Sequence, residues 1–236
     1  MGVKAASNAQ IWLGGYDLSG FANKLTPELV VELEDATVLQ SSGHIWNVTL
    51  LNDKVGFDAF YDVASGAVTE RLNNMRGNTD QISLIFGTAQ SSKAISGDGV
   101  FQDTYPIEIP VEGLSKVVGD IKFTNKATTG YLLQPKETKT SDGNGTGVDG
   151  GASSSAGAEA YLHVFACGGD DGLIVKVQTD DNSNFTSATD LITFTTANGI
   201  TSEKKSVTGA VERYVRANWA GTPTYSGTFA VVWCRL

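Results

Sequence analysis

Cysteine is scarce: only Cys167 and Cys234 occur in 236 residues. Two thiols do not make a disulfide framework. Both lie in strand-like runs, which suits buried free thiols, with a bridge between them as the other reading. Histidine is equally rare, and His44 and His163 stand far apart in sequence. Without a Cys/His cluster at ligand spacing, the sequence offers no zinc site. Neither histidine has a nucleophile motif such as G-x-S-x-G nearby, so no catalytic residue is indicated. No cofactor is implied either. No apolar run approaches the length of a membrane-crossing helix. The opening MGVKAASNAQ lacks the apolar core of a secretory signal, and Ala6 stands where myristoylation wants Ser or Thr. The expectation is a protein made in the cytoplasm and free of membrane.

Positive charge is also in short supply. The chain has 17 Lys and Arg against 26 Asp and Glu, a net charge of −9. Proteins that grip nucleic acid neutralise phosphates with clustered cations, so this composition argues against one. It does not exclude a protein that lets DNA pass without sticking. Split at Pro135, the first part carries 9 basic and 15 acidic residues and the rest 8 and 11, so the acidity concentrates in the N-terminal part.

What is present is enough for a core: 41% of residues are hydrophobic. The run from Ser141 to Gly157, SDGNGTGVDGGASSSAG, interrupts it. The run has no aromatic residue, and its one branched aliphatic is Val148. Its six glycines cost the most backbone entropy to order. The segment reads as a linker between a domain over residues 1–140 and a second over 158–236. Gly145, Gly147 and Gly150 satisfy G-x-G-x-x-G, but neither flank reads as the strand and helix that a phosphate cradle needs. Asp142, Asn144 and Thr146 imitate the start of an EF-hand loop, yet the twelfth position is Ser153 rather than Glu. The linker reading absorbs both motifs.

Along the first block, residues 1–10 read as a flexible arm. From Leu29 to Glu34 apolar and acidic residues alternate, which is the period of a strand with one wet face. That face is acidic: Glu28, Glu32, Glu34 and Asp35 are a solvated surface or the lining of something anionic. His44–Leu51 and Lys54–Tyr61 read as strands joined by a hairpin turn at Asn52-Asp53. Ser65 to Arg76 is the one good helix, with Ser65 as cap, Val68, Leu72 and Met75 on one stripe, and Gly77 as stop. Residues 88–104 read as a long loop. The second block offers strands over 161–167, 173–179, 191–195, 211–219 and 228–236. A turn is expected over 168–172, and a solvated acidic loop over 180–184. Arg216 beside Tyr214 reads as surface or interface.

IWLGGYDLSGFANKL near the N-terminus resembles the opening of major tail tube proteins of long-tailed, siphovirus-like bacteriophages. HIWNVTLLNDKVGFDAFYD, a single helix, DQISLIFG and IEIPVEGLSKVVGDIKF then follow in similar order. The C-terminal run from YLHVFACGGDDGLIVKVQTDD to GTFAVVWCR is similar to a β-domain of such phage proteins. The resemblance covers most of the chain. It implies a mainly β fold: a tail-tube-type β-sandwich with one short helix, followed by a second, smaller β-sandwich. It also implies a homo-oligomer, as a ring of six or a trimer with pseudo-sixfold symmetry. Such rings stack in the virion tail beside other tail proteins, around a channel that DNA crosses without specific binding. Family members extend a loop or hairpin to the next ring; residues 88–104, Leu33–Ser42 and the N-terminal arm are the candidates. The rival expectation is a carbohydrate-binding or adhesion β-sandwich that stacks sugars on Trp219 and Tyr225, residues that packing would equally explain.

Overall fold

The computed structural model describes residues 8–62, 64, 68–101, 107–168, 172–221 and 225–236. Most of the expected N-terminal arm, the Ser65 cap, the last part of the 88–104 segment and the middle of the turn at 168–172 lie outside the described residues.

In chain order the first strands are β1 (Ala9–Leu13), β2 (Tyr16–Asp17), β3 (Ala22–Glu28), β4 (Val31–Asp35), β5 (Trp46–Leu51) and β6 (Lys54–Phe60). One helix, α1 (Val68–Asn74), follows. Next come β7 (Thr79–Phe86), β8 (Lys93–Phe101), β9 (Ile107–Glu108), β10 (Lys116–Phe123), β11 (Thr128–Lys139), β12 (Gly143–Asn144) and β13 (Val148–Asp149). The remaining strands are β14 (Ala158–Gly168), β15 (Ile174–Asp180), β16 (Thr189–Thr193), β17 (Thr201–Val207), β18 (Tyr214–Ala220) and β19 (Ser226–Arg235). Among the described residues the fold is therefore mainly β with a single short helix.

Contacts gather the chain into two compact units, and they do not follow the boundaries expected at 140 and 158. The first takes Met1–Gly20, Asp80–Ser96 and Thr128–Leu236; the second takes Phe21–Thr79 and Gly97–Ala127. The difference has a plain cause. β11 begins well before the Gly/Ser run but pairs with β19, from Tyr131 opposite Trp233 to Lys139 opposite Gly227. β1 and β7 pair with each other and belong to the same unit.

The first unit has two sheets. One runs β17-β14-β19-β11-β8, with β7, β1 and β2 added; the other runs β12-β18-β15-β16, with β13 also on β18. Leu162, Val164, Phe229, Val231 and Trp233 from the first join Val175, Val177, Val215, Ala217 and Trp219 from the second in one core. The opposite faces of β14 and β19 are buried as well: Tyr161, Val232 and Cys234 cluster with Trp12, Ile85 and Leu132. Covered on both faces, these strands read as nearly continuous apolar runs rather than alternating ones.

The Gly/Ser run is not a free linker. Gly143 and Asn144 stand opposite Trp219 and Asn218, and Val148 and Asp149 opposite Val215 and Tyr214. Between these pairs Gly145 donates its amide to Ala217 O at 2.8 Å, and beyond them Gly150 donates to Arg213 O at 2.8 Å. Arg213 grips Asp149 through two bonds of 2.8 and 2.7 Å. The glycines suit this strap because it lies on side chains: a Cβ at Gly143 would meet the Trp219 indole, and one at Gly147 the Phe185 ring.

The second unit is built on β3, β6, β10, β9 and the end of β8. In β6 and β10, buried Val55, Phe57, Ala59, Val117, Ile121 and Phe123 alternate with more open positions. Val68, Leu72 and Met75 are buried, as the helical stripe predicts, and Gly77 takes φ +76° just after the helix. Two expectations fail here. Residues 88–104 are not one loop: β8 runs through them, and its Gly97 leaves room for the Phe123 ring. Asn52-Asp53 does not join paired strands, since β5 pairs with β4 while β6 pairs with β3 and β10. β17, the charged run TSEKKSV, was not foreseen; it pairs with β14.

Candidate assembly interface

β4 and β5 form a two-stranded sheet of their own within the second unit. Val31 stands opposite Leu51, Leu33 opposite Val48, Glu34 opposite Asn47 and Asp35 opposite Trp46, with an irregularity between Val31 and Leu33. Alternation puts Val31, Leu33, Trp46 and Val48 on one face and Glu32, Glu34 and Asn47 on the other, and the register shift brings Leu51 opposite Val31. The expected wet face exists, but its opposite face is uncovered too. Every residue of both strands is exposed, Trp46 by 56% and Val48 by 68%.

The hairpin is nonetheless held at both ends. At its base Asn52 donates to Val30 O at 2.9 Å, and Val30 donates to the Asp53 carboxylate at 2.9 Å. The second Asp53 oxygen accepts from Ala127 N at 2.8 Å. Asp53 is almost fully buried and ties the hairpin to the body of its unit. Sequence reading took it only as a turn residue. The one available signal was a lone acid between two apolar strands.

At the far end Asp35 accepts the Thr37 amide at 2.9 Å and the Thr37 hydroxyl, and meets His44 Nδ1 at 3.1 Å. The Thr37 bonds hold the Asp35 carboxyl below its ordinary pKa. His44 stacks on Trp46 with centroids 5.9 Å apart. Beyond them Val38 and Leu39 project, Leu39 with its side chain fully in solvent.

The four acidic candidates do not form one cluster. Glu28 lies in β3 and pairs with Lys54 at 3.6 Å. Glu32 accepts from Asn52 at 2.9 Å, and Glu34 shares its face by alternation. Asp35 falls on the opposite face, engaged with Thr37 and His44.

The exposed apolar surface is confined. Among the described residues, every exposed large hydrophobic residue apart from Phe86, Ile200 and Leu236 lies in the second unit. Ile109, Val111 and Leu114, on the loop before β10, add to the hairpin's share.

Other candidates resolve into packing. Trp219 and Tyr225 are 5% and 4% exposed and belong to the core, so neither offers a ring for sugar stacking. Arg216 lies over the Phe185 ring at 4.4 Å, and Arg213 over Tyr214 at 5.0 Å. Asp180 is buried and accepts the amides of Asn182 and Ser187 at 2.9 and 2.8 Å, closing its own loop. Among the described residues no group of three His, Cys, Asp or Glu side chains is placed to hold a metal. No helix among them is long and apolar enough to cross a membrane. Both cysteines are free thiols; burial pushes Cys234 up to about 12.

No protein-family model and no curated protein matches the chain. Among solved structures, the chain is similar to the Dit protein of phage SPP1, described as a paradigm of the hub adsorption apparatus in phages infecting Gram-positive hosts. That match has 11% identity and a TM-score of 0.39, and covers 96% of this chain and 99% of that one. It is also similar to a chain of the phage p2 baseplate in its activated conformation with strontium, at 8% identity and a TM-score of 0.34, covering 97% and 98%.

Proposed function

We propose that this protein is a structural subunit of a phage tail that assembles with copies of itself into stacked rings around a DNA channel. The observation that carries the reading is the uncovered β4–β5 hairpin. A lone two-stranded hairpin is marginal in water, and this one leaves an apolar face open on both strands. A second copy that covers Leu33, Trp46, Val48 and the tip would bury what the monomer leaves wet. A contact between a projecting hairpin and a different surface of the next copy is heterologous, and such contacts close into rings or run on as filaments. The ordered sequence resemblance points the same way, with six copies, or three of pseudo-sixfold symmetry, in each ring.

The acidic residues fit a conduit. Cationic walls hold phosphates, whereas like charge keeps a passing polyanion off the wall. Of the four acidic candidates, Glu32 and Glu34, on the hairpin face opposite the apolar one, are the proposed lining; Glu28 stands apart on β3, and Asp35 shares the apolar face. The function asks for no nucleophile, metal or cofactor.

The test is negative-stain electron microscopy with sedimentation analysis across concentrations, on the wild type and on Val48→Asp. The wild type should form rings or striated tubes. The variant should stay monomeric while keeping its stability within about 0.5 kcal/mol, since Val48 is exposed in the monomer. Wild-type monomers at every concentration, or a variant that assembles normally, would refute the proposal.

A further inference from the structure

The first unit holds a cleft of about 250 Å³ between the turn at Gln90, the end of β11 and the glycine strap. We propose that this cleft binds a single neutral sugar ring, recognised through its hydroxyl groups. The inference is independent of the tail assembly.

Gln90 gives both N–H bonds of its amide to backbone carbonyls, Leu133 O at 2.9 Å and Thr146 O at 2.7 Å. Its oxygen is left as an acceptor. Gln134 is only 4% exposed, and its amide nitrogen donates to Pro135 O at 3.2 Å. Its oxygen faces Gly145, 2.7 Å from where a Cβ would sit, so the glycine leaves that acceptor uncovered. Glu137 uses one carboxylate oxygen for Lys139 at 2.6 Å and keeps the other. Asn144 uses its oxygen for Asn218 at 2.9 Å and keeps its amide N–H groups.

The aromatic residue of the cleft is already committed. Trp219 donates its indole N–H to Ser141 O at 3.0 Å, and the Lys139 ammonium sits 4.9 Å from its ring centroid. Stacking is therefore not the means of recognition. What the cleft presents is two amide oxygens, a carboxylate oxygen and one amide donor.

Such a set selects a ligand rich in donors. The Gln134 oxygen, on a side chain only 4% exposed, gains from a partner that carries an O–H group, and a vicinal polyol offers further donors at once to the half-buried Gln90 oxygen and the exposed Glu137 carboxylate. An anion would meet the Glu137 carboxylate and the amide oxygens with no free cation, because Lys139 is engaged by Glu137. The volume lies just below the usual range for ligand pockets, which suits one ring rather than a chain of them. A contact this small, without a stacked ring, implies affinity in the millimolar range.

The test is saturation-transfer difference NMR with isothermal titration, using the full chain and D-glucose, D-galactose and N-acetylglucosamine as probes. At least one should bind saturably. Glu137→Ala and Asn144→Ala should each weaken it about tenfold. Both sites are exposed, so the variants should fold, which circular dichroism checks. Saturable binding lost in both variants supports the site. No saturable binding of any probe overturns it, and so does binding that neither variant weakens. Ring formation is read separately by microscopy, so failure here and failure of the assembly proposal are distinguishable.

Discussion

His163 makes the fold acid-labile in a way that can be measured. Its imidazole is fully buried on β14; Nε2 lies 2.9 Å from Ser83 Oγ, which lies 2.7 Å from Ser96 Oγ. Nδ1 has no partner. Trp12 meets the ring edge-on at 5.7 Å, and Phe165 stacks at 6.3 Å. Burial pushes the pKa from 6.5 down to about 3. Between those values the unfolded imidazole binds a proton and the folded one does not. The stability this neutral histidine permits is therefore complete above pH 6.5 and is lost as pH falls towards 3. Each pH unit in that window costs about 1.4 kcal/mol, which gives about 2 kcal/mol by pH 5 and about 5 kcal/mol by pH 3. His163→Leu removes the titration and retains the Ser83–Ser96 bond, at a packing cost of about 1–3 kcal/mol at neutral pH. Urea unfolding of both proteins at several pH values isolates the effect, because the carboxylates titrate alike in each. The wild type should lose about 2 kcal/mol more than the variant between pH 7.5 and 5. Parallel pH profiles would refute the reasoning.

Gly130→Ala should destabilise by about 3 kcal/mol, because its Cβ would press on Trp233 O and Cys234 Sγ; Gly20→Ala, with open space around it, should cost little by the same urea titration. Cys234 should resist alkylation at pH 8 in the native protein and react promptly in urea, its burial and raised pKa both withholding the thiolate; equal native and denatured rates would contradict its placement. Arg213→Ala should free the glycine strap and open a protease site between residues 148 and 157, visible by limited proteolysis and mass analysis; an unchanged cleavage pattern would mean the backbone bonds alone hold it. Reversing Glu32 and Glu34 to Lys should slow DNA delivery by assembled particles, and unchanged delivery would sink the acidic lining.

Much of the fold was legible in the sequence wherever the signal was local. The α1 stripe of Val68, Leu72 and Met75 and its Gly77 stop needed only helical spacing. The strands of the second block showed as short apolar runs between Gly, Asp and Asn turns. Trp219 was readable as either a binding or a packing residue, and burial placed it in the core. Less could be read where the residues were small or charged. β8 hides among Ser and Gly because its neighbours need room, as Phe123 does at Gly97. β17 hides behind Glu and Lys because one strand edge suffices to recruit it.

The sequence by itself determined that this chain is mainly β, that it has one amphipathic helix, and that its acidic charge concentrates in the N-terminal part. Those properties follow from composition and period, which adjacent residues carry among themselves. Only the tertiary structure decided that β11 pairs with β19, that the Gly/Ser run is a strap along β18, and that β4 and β5 stand together without a cover. Period two says which side chains share a face. It is silent on which strand lies alongside and on whether anything packs against that face, because both depend on partners distant in the chain.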